Sequence, residues 1–81
     1  MKTFGDLLNY CIKITNETKS DVFLEYSGHI NYIGLYMYRE GWDENRVYFP
    51  YYIETNKISN KEENEIVKEA IKWIDKNKIS K

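Results

Sequence analysis

The spacing of the hydrophobic residues changes twice along this chain, and this change restricts the fold more than any other feature. Apolar side chains recur every three or four residues near the N-terminus, alternate from Val22 to Glu54, and return to the first spacing after Ser59. The first spacing places one apolar stripe on a helix, whereas alternation places one set of side chains on one face of a strand. The pattern therefore predicts a helix at each end and strands between them.

Each predicted helix has a start signal. Thr3 precedes a helix predicted over residues 4–16, Ser59 precedes one predicted over residues 60–77, and an acidic residue follows each cap three positions later. This arrangement is typical of helix N-termini. The apolar stripe of the first helix is predicted to comprise Phe4, Leu7, Leu8, Cys11 and Ile12. That of the second is predicted to comprise Ile66, Val67, Ala70, Ile71 and Ile74, with Trp73 on its flank.

The middle of the chain predicts three strands, over residues 22–26, 30–38 and 46–54. Gly28 lies in the first connection, where its tolerance of positive φ suits a tight turn. Pro50 cannot donate a ladder hydrogen bond, so the third strand is expected at the edge of the sheet.

The element order α-β-β-β-α predicts one α+β domain spanning residues 1–81. Short connections favour an antiparallel three-stranded meander in a two-layer sandwich, with both helices on one face of the sheet. Alternation assigns one set of strand residues to the face under the helices: Val22, Leu24, Ile33, Leu35, Met37, Val47, Phe49, Tyr51 and Ile53. The opposite face is expected to carry Phe23, Tyr32, Gly34, Tyr36, Tyr38, Tyr48, Pro50 and Tyr52.

Composition and single residues argue against several functions. Twelve Lys and Arg against 13 Asp and Glu leave a net charge of -1, without the basic excess that nucleic-acid binding requires. Cys11 is the single cysteine, so no disulfide forms within the chain, and it falls on an apolar stripe. His29 falls in a turn without a partner that could orient it as a general base. We therefore expect a protein that is not an enzyme and uses no metal or cofactor.

The tyrosines on the face away from the helices are the first candidate binding surface, because contiguous exposed aromatic area marks contact sites. The alternative is that tyrosine is simply a good strand former with its hydroxyl in water. A partner could be another protein, a second copy of this chain, or unpaired bases stacked on the rings. Arg39, Arg46 and Lys57 flank the sheet but are outnumbered by nearby carboxylates, which favours a protein partner.

The acidic loop between the second and third strands is the second candidate. Its Glu40, Trp42, Asp43 and Glu44 combine negative charge with one large aromatic anchor of the kind enriched at interfaces. The alternative is an ordinary solvated loop whose Trp42 folds back over the sheet edge. The predicted partner-binding residues are Tyr32, Tyr36, Tyr38, Tyr48, Tyr52, Glu40, Trp42, Asp43 and Glu44.

Two families resemble parts of this pattern. The element order is that of the double-stranded RNA-binding domain, but residues 60–65 hold three carboxylates where that family has lysines, so RNA binding is not expected. Residues 22–28 and 64–69 are similar to segments of small phage-encoded anti-CRISPR proteins. That resemblance implies an inhibitor of a host defence protein, acting in the cytoplasm of a bacterial cell.

The expected function is accordingly a small protein-binding module, a phage-type accessory protein that inhibits a basic or nucleic-acid-binding host protein. The alternatives are single-stranded nucleic-acid binding on the aromatic face and a structural homodimer. The sequence predicts no membrane span and no secretory signal.

Overall fold

The computed structural model describes all 81 residues, Met1–Lys81, and confirms the element order predicted from the sequence. The elements are α1 (Phe4–Glu17), β1 (Asp21–Ser27), β2 (Tyr32–Tyr38), β3 (Phe49–Glu54) and α2 (Asn60–Asn77). The three strands form one antiparallel sheet in the order β1-β2-β3, which confirms the α+β meander. Pro50 lies in the edge strand β3, as its missing N–H predicts.

Both helices begin at a capping box. The Thr3 side chain accepts a hydrogen bond from the Asp6 N–H, and the Asp6 carboxylate accepts one from the Thr3 N–H. Ser59 and Glu62 repeat the arrangement at the start of α2. Each box satisfies two backbone donors that a helix N-terminus otherwise leaves unpaired, so these local signals fix where the helices start.

The core lies between the sheet and the two helices, which pack on the same sheet face. It consists of ten buried side chains: Leu7, Cys11, Ile14, Ile33, Leu35, Met37, Ile53, Val67, Ala70 and Ile74. The predicted membership of the α1 apolar stripe is partly wrong: Leu8 and Ile12 are about half exposed, whereas Ile14, which was not assigned to it, is buried. Leu8 and Ile12 each follow a buried residue by one position, or about 100° around the helix, which turns them away from the core.

The start of the third strand was also predicted wrongly. Strand β3 begins at Phe49 and not at residue 46, and the Arg46 guanidinium donates to the carbonyl oxygens of Glu40 and Gly41, which holds this segment in the loop. Val47 is 83% exposed and Phe49 is 44% exposed, so neither belongs to the core as expected. The alternation in the sequence continues through residues 46–48, but these residues pair with no neighbouring strand.

The β1–β2 hairpin turns at a different residue from the one predicted. Strand β2 begins at Tyr32, so Ile30 lies in the connection and is exposed. The residue with positive φ is Asn31, at 55°, rather than Gly28. Asn tolerates the left-handed region better than most residues, so it can supply the turn without glycine.

A buried serine joins three parts of the chain that the sequence did not connect. The Ser20 hydroxyl donates to the Arg39 carbonyl oxygen (2.7 Å) and accepts from the Ile79 N–H (2.9 Å). The Lys19 N–H donates to the Ile79 carbonyl oxygen, and Thr18 forms an isolated antiparallel bridge with Ser80. The C-terminal tail is therefore pinned against the α1–β1 connection and the end of β2.

Candidate functional site

The sheet face opposite the helices, called the outer face from here on, is covered by neither helix, and the Tyr48 ring of the β2–β3 loop packs against it. Residues paired across neighbouring strands share a face, so Tyr36 lies beside Phe23 and Pro50, and Gly34 lies between Glu25 and Tyr52. Four of its aromatic side chains are well exposed: Phe23 by 48%, Tyr32 by 39%, Tyr48 by 46% and Tyr52 by 58%. The structure therefore places the predicted tyrosines together on an accessible surface.

Five aromatic rings on the outer face pack against one another, and we call them the aromatic cluster: Phe23, Tyr36, Tyr38, Tyr48 and Tyr52. Tyr36 is central, with its ring centroid 5.2 Å from that of Tyr48 and 6.0 Å from that of Tyr52, both edge to face. Tyr38 lies 5.6 Å from Phe23 and 5.8 Å from Tyr48. These spacings are those of favourable aromatic pairs, so the rings hold one another in place. Tyr32 lies outside the cluster.

Gly34 explains how the central ring fits. A Cβ atom at this position would lie 2.6 Å from the Tyr36 hydroxyl oxygen and 2.8 Å from the ring carbon that carries it. The Tyr36 side chain therefore lies across the bare backbone of Gly34, and Gly34 is buried although it is on the open side of the sheet. A glycine in the middle strand weakens the sheet locally, but here it lets an aromatic ring approach the backbone closely.

The charges on the outer face are all negative. Asp21, Glu25 and Glu54 lie opposite Tyr38, Gly34 and Tyr32 in the strand register, which places them on the outer face with the rings. No lysine or arginine of the three strands accompanies them, because the strands contain none.

Glu25 and Glu54 lack a counter-charge. Both ion pairs of the structure lie within α2 and its end, Lys72 with Glu69 and Lys78 with Asp75. Partial removal of water from the Tyr36 hydroxyl raises its pKa above the ordinary value of 10.0, and the charges of Tyr52 and Glu25 act in the same direction. The outer face is therefore acidic as well as aromatic.

The acidic loop adjoins this face at one end of the sheet. The Asp21 carboxylate accepts a 2.6 Å hydrogen bond from the Trp42 N–H, and Gly41 adopts a φ of 96° just before it. The Asp43 carboxylate accepts from the Asn45 N–H, which closes a local turn. The Trp42 side chain remains 58% exposed, so the loop backbone is anchored while its large aromatic side chain faces solvent. The neighbouring carboxylates of the loop, Glu40, Asp43 and Glu44, are exposed and form no ion pair.

The two arginines near the sheet are bonded within the chain. Arg39 donates from Nε to the Asn77 carbonyl oxygen at 2.7 Å, and its guanidinium lies 5.6 Å from the centre of the Phe49 ring. Arg46 donates to the Glu40 carbonyl oxygen at 2.6 Å. Arg39 therefore links the end of β2 to the end of α2, and Arg46 holds the β2–β3 loop.

The other sequence candidates lie elsewhere. Cys11 is buried in the core, and burial raises the pKa of its thiol to about 11. His29 is exposed in the β1–β2 connection. Sequence reasoning placed Gly34 on this face but left Glu25 and Glu54 out of the predicted partner-binding residues, although the alternation that placed the tyrosines also covers these two carboxylates.

The fold and this surface define the class: a small α+β protein with an open three-stranded sheet, one face of which carries packed rings and unpaired carboxylates. No family model, curated protein or solved structure matches the chain. None of its helices has the length and apolar character needed to cross a membrane.

Proposed function

We propose that this chain is a protein-binding module without enzymatic activity, and that its outer face and acidic loop contact a basic surface of another protein. The observation that carries the proposal is the aromatic cluster itself, which packs as an ordered surface and yet lies open to solvent. Tyr and Trp side chains in such positions supply large contact area at a low cost in side-chain entropy.

The charge on the surface selects among partners. Glu25 and Glu54 lie among the rings, and the loop adds three more exposed carboxylates, whereas Arg39 and Arg46 are bonded to backbone carbonyls. A nucleic-acid backbone would be repelled here, because single-strand binding combines stacking rings with a positively charged groove. A basic protein surface would be attracted, and its association would slow as salt screens the carboxylates.

In its most specific form, the proposal is a phage-type inhibitor that acts in a bacterial cytoplasm on a host defence protein. This form is supported by the resemblance of residues 22–28 and 64–69 to anti-CRISPR proteins and by the acidic outer face, since proteins that handle nucleic acids expose basic grooves. Occupying such a groove would block the nucleic acid from it.

The experiment compares two double variants in affinity capture from a bacterial lysate, followed by calorimetry with the purified partner. Tyr36→Ser with Tyr48→Ser removes the centre of the aromatic cluster and is expected to weaken binding at least about a hundredfold, because central aromatic residues carry about 2 kcal/mol or more. Leu8→Ser with Ile12→Ser removes exposed apolar surface from α1, across the sheet, and should leave affinity unchanged.

Circular dichroism first establishes that both double variants are folded. Equal affinity of the tyrosine variant and the wild type would remove the outer face from the proposal. Light scattering over a range of concentrations tests the homodimer: a dimer that dissociates only in the tyrosine variant would show that a second copy occupies the face, and the proposal would fail.

A further inference from the structure

A depression of about 350 Å³ opens on the outer face beside the aromatic cluster. It is lined by Tyr32, Tyr36 and Tyr52 and by Gly34, over whose backbone the Tyr36 ring lies. Because Tyr36 and Tyr52 are fixed edge to face at 6.0 Å, two walls are formed before any ligand arrives. The volume lies at the lower end of the range for pockets that hold a small chemical group.

The Glu25 carboxylate stands at the rim of this depression. It faces Gly34 across the β1–β2 pair and has neither an ion pair nor a hydrogen bond. Glu54 lies opposite Tyr32 and adds a second negative charge nearby. Ring faces carry negative electrostatic potential, so rings and carboxylates together favour a positively charged ligand.

Among the positive side chains of proteins, arginine fits these walls best. Its guanidinium is planar, is less strongly hydrated than an ammonium group, stacks on aromatic faces and donates two parallel hydrogen bonds to one carboxylate. A lysine ammonium is a compact and strongly hydrated charge, which loses more on leaving water. An aliphatic side chain would cover Glu25 without pairing its charge, at a cost in free energy.

We propose that this depression is the binding site for one arginine side chain of the partner protein, with the guanidinium stacked against the exposed side of a tyrosine ring and paired to Glu25. This inference rests on the proposed function, because it assigns the anchor residue that the partner contributes. The aromatic cluster then supplies the surrounding contact area, and the depression supplies the chemical selectivity.

The test is a nuclear magnetic resonance titration of the full chain with acetyl-glycyl-arginyl-glycine amide. Matched peptides carry lysine or citrulline, the second being a neutral analogue of arginine of nearly the same shape. The arginine peptide should produce saturable shifts at Glu25, Gly34, Tyr36 and Tyr52. The lysine peptide should bind several-fold more weakly, and the citrulline peptide should cause no saturable shift.

Two variants test the two parts of the site. Glu25→Gln should weaken arginine-peptide binding roughly three- to tenfold, as loss of one partly exposed ion pair implies, whereas Glu17→Gln on α1 makes the same charge change and should have no effect. Gly34→Ala should abolish binding, because the new Cβ must displace the Tyr36 ring. A melting curve compared with that of the wild type tests whether Gly34→Ala is folded.

Equal shifts with the citrulline or lysine peptide, or shifts centred outside the depression, would overturn the assignment. The outcome is separable from that of the proposed function, which is measured on the partner protein with the tyrosine variant. The arginine peptide could fail to bind while the tyrosine variant still loses partner binding. That result would reject the depression as an arginine site and would retain the outer face as the surface that contacts the partner.

Discussion

Replacing Ser20 with alanine tests whether one buried hydroxyl holds the C-terminal tail against the end of β2. Ser20 is fully buried, and its hydroxyl bonds to two backbone groups, the Arg39 carbonyl and the Ile79 N–H. Alanine fills almost the same space, so Ser20→Ala leaves both groups in place without their partner. The change therefore isolates the hydrogen bonds from packing.

The expected loss follows from those two bonds. A buried donor or acceptor left without a partner costs about 1–3 kcal/mol. Because these two bonds are partly buried, we expect the free energy of unfolding to fall by about 2 kcal/mol in total. For a domain of this size, each 1 kcal/mol lowers the melting temperature by about 4–8 °C. Ser20→Ala should therefore melt roughly 8–16 °C below the wild type.

Calorimetry gives the melting temperature, and amide hydrogen exchange shows where the loss occurs. Exchange at Ile79 should accelerate in Ser20→Ala before that of the core strands, because the tail detaches first. Ser27→Ala is the matched control, since the Ser27 hydroxyl makes no hydrogen bond, and it should melt within about 2 °C of the wild type. A loss in Ser20→Ala as small as in this control, with Ile79 exchange unchanged, would refute the role given to Ser20.

Three further predictions concern the core and the dependence on pH. Leu35→Ala removes a fully buried side chain and should lower the free energy of unfolding by about 2–5 kcal/mol in urea denaturation; a smaller loss would contradict its central position. Cys11, with its raised pKa of about 11, should resist alkylation at about pH 8 until the protein is unfolded, which mass spectrometry measures. Partial burial acts to raise the pKa of Asp75, but hydrogen bonds from Tyr10 and Lys78 outweigh it and hold the pKa below the ordinary value of 3.8. The stabilisation by the Asp75 carboxylate is therefore present above about pH 4 and is lost as the pH falls through the folded-state pKa. Asp75→Asn should lose less stability on acidification than the wild type, as urea denaturation at a series of pH values measures. An equal loss of stability in the two proteins would contradict this.

The sequence predicted the elements well wherever the signal was local. The capping boxes fixed the start of both helices, and the missing N–H of Pro50 indicated an edge strand. Alternation predicted which strand residues face the helices over β2, where both neighbouring strands continue the pairing. These features depend on residues a few positions apart, so the sequence carries them directly.

The errors arose where a distant partner decides the outcome. Val47 continues the alternation in the sequence, yet the Arg46 guanidinium bonds to the loop carbonyls and the strand begins only at Phe49. Leu8 is as apolar as Leu7, but the position of α1 on the sheet buries one and exposes the other. Whether an apolar residue of a local pattern is buried therefore depends on which distant part of the chain packs against it.

The candidate site divides in the same way. Alternation alone placed the tyrosines on one face, because the side-chain period of a strand is two. Sequence could not show that Gly34 makes room for the Tyr36 ring, that Glu25 and Glu54 lack counter-charges, or that Ser20 holds the tail. The sequence by itself determined the order of the elements and the two faces of the sheet, since both follow from periodicity and local capping. Only the tertiary structure decided which carboxylates stand among which rings and where a depression opens between them, because those facts depend on strand register and on contacts between distant residues.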